Sequence, residues 1–233
     1  MRTIEWQANG NSWCFLWVSD VHCAEIFRSF RQFRTVIPVQ VTDIGLGGCQ
    51  RSGLRRRGHG QRVAQGEPLL VLGDVGIHIL DFATFVAGLD VADISCRLAT
   101  FDKAPGGRIG DYVLDANDSA TMQVRLSNGA LGTVAATRFA SGHLNDLRLR
   151  IYGDKGGLEV SFENRISRLS ACLEPDLQQA IWTPVDCPPV PTVYERFIAA
   201  IRGEGPALPD FARGAALQKL LDRAEHSAAE GAR

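Results

Sequence analysis

Residues 73–88 read GDVGIHILDFATFVAG, a glycine-flanked turn running into an amphipathic stretch. The spacing predicts a helix over 74–87. At about 3.6 residues per turn, Asp74, His78 and Asp81 stack along one line, with Val75, Ile79, Phe82 and Val86 as an apolar stripe beside them. An imidazole with a carboxylate one turn away on each side suits proton handling, because neighbouring carboxylates fix the tautomer and raise the pKa toward neutrality. The same spacing suits a solvated, salt-bridged helix face. Spacing alone leaves both open.

Beyond this stretch the patterns are regular. Ala120, Met122, Val124 and Leu126 alternate with Thr121, Gln123, Arg125 and Ser127, which predicts a strand with one buried face. Asn128-Gly129 offers the positive-φ positions of a tight hairpin turn, with a return strand from Leu131 to Phe139. Leu147, Leu149 and Ile151 alternate with Arg148, Arg150 and Tyr152, and GDKGG at 153–157 turns the chain into Leu158, Val160 and Phe162 as a second hairpin. Thr192 and Glu195 form a T-x-x-E capping box for a helix faced by Phe197, Ile198 and Ile201 and ended by Gly203. Asp210 caps a last helix whose stripe is Leu217, Leu220, Leu221, Ala224 and Ala228. The fold class expected is α+β: an open, mainly antiparallel β-sheet with helices packed on one face.

A chain of 233 residues with 45% apolar content can bury one good-sized core. A net charge of -1 gives no general pull toward nucleic acid or acidic membranes. Cysteines 14, 23, 49, 96, 172 and 187 fall in no metal-ligand spacing, so no metal site is expected, and they read as free thiols of a reducing compartment. The apolar run Trp13 to Val18 is too short for a signal-peptide core, and no transmembrane stretch exists, so a cytoplasmic location without membrane association is expected.

The chain changes character near residue 65. Before it, no lysine occurs, while three of the four tryptophans and half of the cysteines do. GLGGCQRSGLRRRGHG at 45–60 lacks periodicity; as a basic run it is an electrostatic footprint without a reading fold, and nucleic acid is not an expected partner. VIPVQVTDI followed by GLGG imitates a strand feeding a dinucleotide loop, but Gly45, Gly47 and Gln50 give GxGxxQ rather than GxGxxG. Residues 1–65 are therefore expected to be an atypical, partly disordered segment, read as a frameshifted or truncated remnant, with the folded domain spanning 66–233.

GDVGIHILDFATFVAG resembles the segment that opens the substrate domain of the glucose-fructose oxidoreductase, inositol dehydrogenase and rhizopine catabolism (Gfo/Idh/MocA) family, where Gly-Asp-x-Gly-x-His-x-x-Asp is usual. LDANDSATMQVRLSNGALGTV, LRLRIYGDKGGLEV, and the close from YERFIAAIRG to LDRAEHSAAEG resemble later segments of that domain in family order, over residues 66–233. EIFRSFRQFRTVIPVQV at 25–41 is faintly similar to the helix and strand that precede the signature.

The resemblance implies a sugar or polyol oxidoreductase using NAD or NADP, with Asp74 as the acid and His78 as the general base; Asp81 reads as structural. It also implies a homo-oligomer formed through the sheet face. The sequence departs from the family in having no Glu-Lys-Pro segment and no complete nucleotide-binding domain. No site for the cofactor is recognisable, and the chain alone is expected to be a truncated form that binds neither NAD nor NADP and is inactive. The alternative is a non-catalytic sugar-binding or oligomerisation module.

Overall fold

The computed structural model describes the backbone of residues 37–44 and residues 71–143, 146–163, 166–187 and 191–231. Ten strands and three α-helices lie among them. Strand β1 (Ile37–Ile44) precedes a π-helical turn (Leu72–Gly76) and helix α1 (Ile77–Ala87). Strands β2 (Val91–Ala99), β3 (Arg108–Ile109), β4 (Tyr112–Val113), β5 (Ser119–Leu126) and β6 (Leu131–Thr137) come next. Then come β7 (Asp146–Gly153), β8 (Gly156–Glu163), β9 (Ile166–Leu173), β10 (Thr183–Val185), α2 (Val193–Ile201) and α3 (Phe211–Ala229).

Eight strands form one open sheet in the order β10-β9-β8-β7-β1-β6-β5-β2; β3 and β4 make a separate small ribbon. Neighbours in the large sheet run antiparallel except β1 and β6, which pair in parallel from Val39↔Gly132 to Asp43↔Ala136. The expected α+β class is what the chain adopts, and the alternating strands explain it. On β5, Ala120, Met122, Val124 and Leu126 are buried while Thr121, Gln123 and Arg125 face solvent. Leu147, Leu149 and Ile151 of β7 continue the inner face. Leu217, Leu220, Leu221 and Ala224 of α3 pack onto it together with Ile79, Leu80, Phe82 and Val86 of α1. Period-2 strands and period-3.6 helices thus present their apolar faces to one core.

β1 stands in the middle of the sheet, between β6 and β7, although the sequence before residue 65 carries little regular pattern. Because β1 separates them, the chain must cross its end to pass from β6 to β7. Residues 45–70 and 1–36 lie outside the described residues, as does the basic run at 45–60.

Local details correct several expectations. Gly129 takes positive φ, at 91°, but Asn128 does not, so the hairpin is not the doubly left-handed turn read from Asn-Gly. Gly129 N–H donates to the Leu126 carbonyl and Leu126 N–H to the Ala130 carbonyl, each at 2.8 Å. This is a three-residue connection with its glycine in the left-handed position, the next most favoured hairpin geometry. The return strand stops at Thr137, two residues short of the expected end. In the second hairpin, Gly156 has φ 147°, and a Cβ there would lie 2.3 Å from the Cys172 carbonyl oxygen, so β9 approaches too closely for any side chain.

The Thr192–Glu195 capping box forms as expected, and Asp210 Oδ1 accepts from Arg213 N–H at 2.9 Å. The apolar face of α2 departs from expectation: none of its residues is buried, and Phe197 and Ile201 are 63% and 67% exposed. Among the described cysteines, Cys96 and Cys172 are buried free thiols, whereas Cys187 is disulfide-bonded, contrary to the reading of six free thiols.

Candidate active site

The signature segment does not run as one regular helix over 74–87. Leu72–Gly76 is a π turn in which Ile77 N–H reaches back to the Leu72 carbonyl, and the α-helix proper starts at Ile77. Gly76 permits this: a Cβ there would stand 3.1 Å from Leu72 Cδ1, inside a buried turn. A π turn holds an extra residue, which rotates the residues before it about the helix axis relative to those after it.

The Asp74 carboxylate is ion-paired with the guanidinium of Arg138, the first residue after β6. His78 is half-buried, and its imidazole donates to the backbone carbonyl of Asp74, one turn back. Burial is the strongest influence on the imidazole and pushes its pKa below the ordinary 6.5. The charges of Asp74 and Asp81 and the bond to the Asp74 carbonyl act in the opposite sense and do not win. The expectation of a raised value is overturned: burial favours the neutral ring.

Asp81 lies elsewhere in the packing. Its side chain accepts from Arg213 Nε of α3 at 2.8 Å, and the same guanidinium donates to Thr84 Oγ1 at 2.5 Å. Asp81 is 7% exposed, so its charge is taken out of water and matched by a cation on the opposite helix. This is a structural pair joining α1 to α3. Beside it a groove of about 200 Å³ is lined by Thr84, Asp90, Arg213, Lys219 and Arg223. Arg223 Nη2 is spent on the Ala92 carbonyl at 2.7 Å, so both arginines hold elements together.

Sequence reading missed the bracket behind Asp74. Asn117 and Asp118 are 6% and 4% exposed, and their consecutive carbonyls accept from Val71 N–H at 3.2 Å and Arg138 N–H at 2.9 Å. The two ends of the Asp74–Arg138 pair thus hang from adjacent residues of one strand entry. Asp118 is itself fixed by Lys103 Nζ at 2.8 Å and by Phe101 N–H at 3.0 Å, while the rings of Phe101 and Phe139 meet edge to face at 5.1 Å. Arg138 follows the end of β6 with no motif to mark it, and Asn117-Asp118 reads only as the lead-in to β5.

Among the described residues no group of three or more His, Cys, Asp or Glu side chains could hold a metal ion, and no helix is long and apolar enough to cross a membrane. A dinucleotide is held by a glycine-rich turn between a strand and a helix inside a parallel βαβ unit. No such unit stands among the described residues, so none of them is assigned to the nucleotide.

The open α+β sheet carries a half-buried imidazole on the helix packed against its inner face. Residues 51–159 match the family model described as the GFO/IDH/MocA C-terminal domain. Over these residues the chain is similar to the C-terminal domain of the Gfo/Idh/MocA oxidoreductases. A levoglucosan dehydrogenase of Pseudarthrobacter phenanthrenivorans is 28% identical over 108 residues, covering 40% of this chain and 27% of that enzyme. An oxidoreductase domain protein from Kribbella flavida superposes with a TM-score of 0.73 at 24% identity, over 91% of this chain and 62% of that one. A levoglucosan dehydrogenase solved in complex with NADH and L-sorbose gives 0.72 at 22% identity, over 91% and 61%. The chain thus spans about a quarter of the curated relative and three fifths of the solved structures.

Proposed function

We propose that this chain supplies the substrate half of an NAD(P)-dependent sugar or polyol dehydrogenase, with His78 as its general base. The observation that carries this is the place of His78: half-buried on α1, one turn from Asp74, where burial lowers its pKa and so favours the neutral ring. In a neutral ring whose one nitrogen donates, the other is a base, which is the form needed to take the proton of a substrate hydroxyl as that carbon becomes a carbonyl. Asp74 sits beside it as the acid of the signature, stabilising the imidazolium once it forms. The solved levoglucosan dehydrogenases with NADH and with sugars support NAD(P) and a sugar or polyol as the partners.

In this reading residues 66–233, completed by β1, form the substrate and oligomerisation domain, and residues 1–65 are otherwise distinct from it. Catalysis needs a nucleotide-binding domain joined to it, and the chain alone is inactive, in the cytoplasm as elsewhere. Copies pair through the outer sheet face, where Thr121, Gln123, Arg125 and Arg148 are exposed; a monomer in sedimentation at about 50 μM would exclude an obligate interface.

The test joins this chain to the nucleotide-binding domain of a levoglucosan dehydrogenase. The joined enzyme should oxidise a sugar or polyol with NAD or NADP, and His78→Asn should lower its rate by about 100- to 10,000-fold. A folded, nucleotide-binding fusion that oxidises its substrate equally well after His78→Asn contradicts the proposal.

A further inference from the structure

We propose that the groove between α3 and the entry to β2 binds a phosphate group, held by Lys219 and Arg223 with the outer donor of Arg213 beside them. The site lies toward the C-terminal end of α1, and the inference does not depend on the role of His78.

The charge of the groove is unbalanced. Arg213 is answered by Asp81, whose Oδ1 accepts from its Nε at 2.8 Å. Asp90, the one carboxylate of the lining, stands 3.8 Å from Arg213 Nη1 with its side chain 89% exposed, so water screens most of its charge. Lys219 and Arg223 form no ion pair among the described residues. They are four positions apart on α3 and line the same groove, so two like charges are stacked one turn from each other. Such a pair repels and weakens the helix that carries it. An anion seated between them replaces one repulsion by two attractions.

The donors are already in place. Arg223 Nη2 donates to the Ala92 carbonyl at 2.7 Å, which fixes the guanidinium against β2 and leaves Nε and Nη1 unspent. Arg213 is held in the same way by Asp81 and Thr84, with Nη1 turned toward Asp90. A guanidinium immobilised by the fold loses little freedom when it takes an anion. Lys219 adds an ammonium with three donors and no other partner among the described residues. Val91, Ala216 and Leu217 give the groove an apolar flank, which strengthens the attraction by lowering the local dielectric. A space of about 200 Å³ suits a small ion rather than a chain. A compact, doubly charged oxyanion matches a fork and a point charge together, whereas one carboxylate would answer only one of the two cations.

The experiment titrates the full chain with inorganic phosphate up to about 20 mM, with sodium chloride holding the ionic strength constant, and follows backbone amide resonances by NMR. The amides of Val91 and of residues 213–223 should move along a saturating curve with a Kd of about 1 mM. Lys219→Gln, which removes a side chain that makes no contact the fold needs, should weaken binding at least about 5-fold, the loss of one charge-assisted hydrogen bond. Lys219→Arg should keep the affinity within about twofold, because the cation remains. Methyl phosphate separates the two sources of the group: binding as tight as that of inorganic phosphate, or tighter, assigns the groove to a phosphate ester, and weaker binding assigns it to the free ion. Shifts that stay linear to the end of the titration, or an affinity unchanged in Lys219→Gln, overturn the proposal.

Discussion

The two ends of α1 put the same chemical parts to opposite uses. At its C-terminal half, Asp81 is 7% exposed and locked to Arg213 and Thr84, so carboxylate and guanidinium serve as a buried rivet between helices. At its start, the Asp74–Arg138 pair is more open, with side chains 39% and 25% exposed, and sits in a turn kept wide by glycine. Sequence spacing therefore assigns an acid to a helix but not to a task. Burial and the origin of the arginine decide which pair holds the fold and which tends the imidazole.

The largest effect expected is on the rivet. Arg213→Ala leaves the Asp81 carboxylate buried without its cation and should cost about 3 kcal/mol of unfolding free energy in urea titration. The same substitution should leave the sheet's hydrogen-exchange protection pattern in place up to the lowered global stability. A loss below about 0.5 kcal/mol would show that the buried pair is solvated and erase the contrast between the two ends. Leu149→Ala, at 1% exposure in the centre of β7, calibrates the scale with an expected loss of about 2–5 kcal/mol.

A smaller effect is expected at the other end. Gly76→Ala must push Leu72 Cδ1 from a 3.1 Å contact in a buried turn, and should cost about 1 kcal/mol while shifting the His78 resonances, because the widened turn sets the Asp74 carbonyl. Equal resonances would mean the turn does not position the ring.

The dependence on pH separates the two ends again. The folded pKa of His78 lies below 6.5, so the unfolded chain takes up the proton first. The contribution of the neutral imidazole is present in full above pH 6.5 and is lost as pH falls from 6.5 through the lower folded value. Stability measured against pH should therefore decline over that window in the wild type and decline less in His78→Asn. The smallest effect belongs far from both pairs: Thr192→Ala removes the capping box of α2 and should fray its first turn in hydrogen exchange without moving the midpoint of global unfolding.

Much of this fold is legible in the chain. The strict alternation of β5 and β7, the Thr192–Glu195 box and the Leu217–Ala224 stripe each translate into the element observed, because local pattern and tertiary burial agree there. β1 is legible as a strand in VIPVQVTDI but not in its place, because a strand inserted between two others draws its hydrogen bonds from residues 93 to 115 positions away, which nothing in its own eight residues announces. β2 escapes a reading by alternation because Asp93 and an irregular register blur the pattern. At the site, Asp74, His78 and Asp81 are visible as a spacing; Arg138 and Arg213 are not, since an ion pair between distant elements leaves no periodic trace. The direction of the His78 shift is misread from sequence for a physical reason, as two nearby carboxylates are readable there while desolvation and the arginines that answer those carboxylates are not.

Whether the start of α1 is built to keep a neutral imidazole ready to accept a proton is decided by titrating His78 in the unmodified chain, its resonance assigned among the five histidines through His78→Asn. The expected midpoint lies below 6.5, with the ring neutral above it. A midpoint above 6.5, with the ring charged at neutral pH, would refute that role.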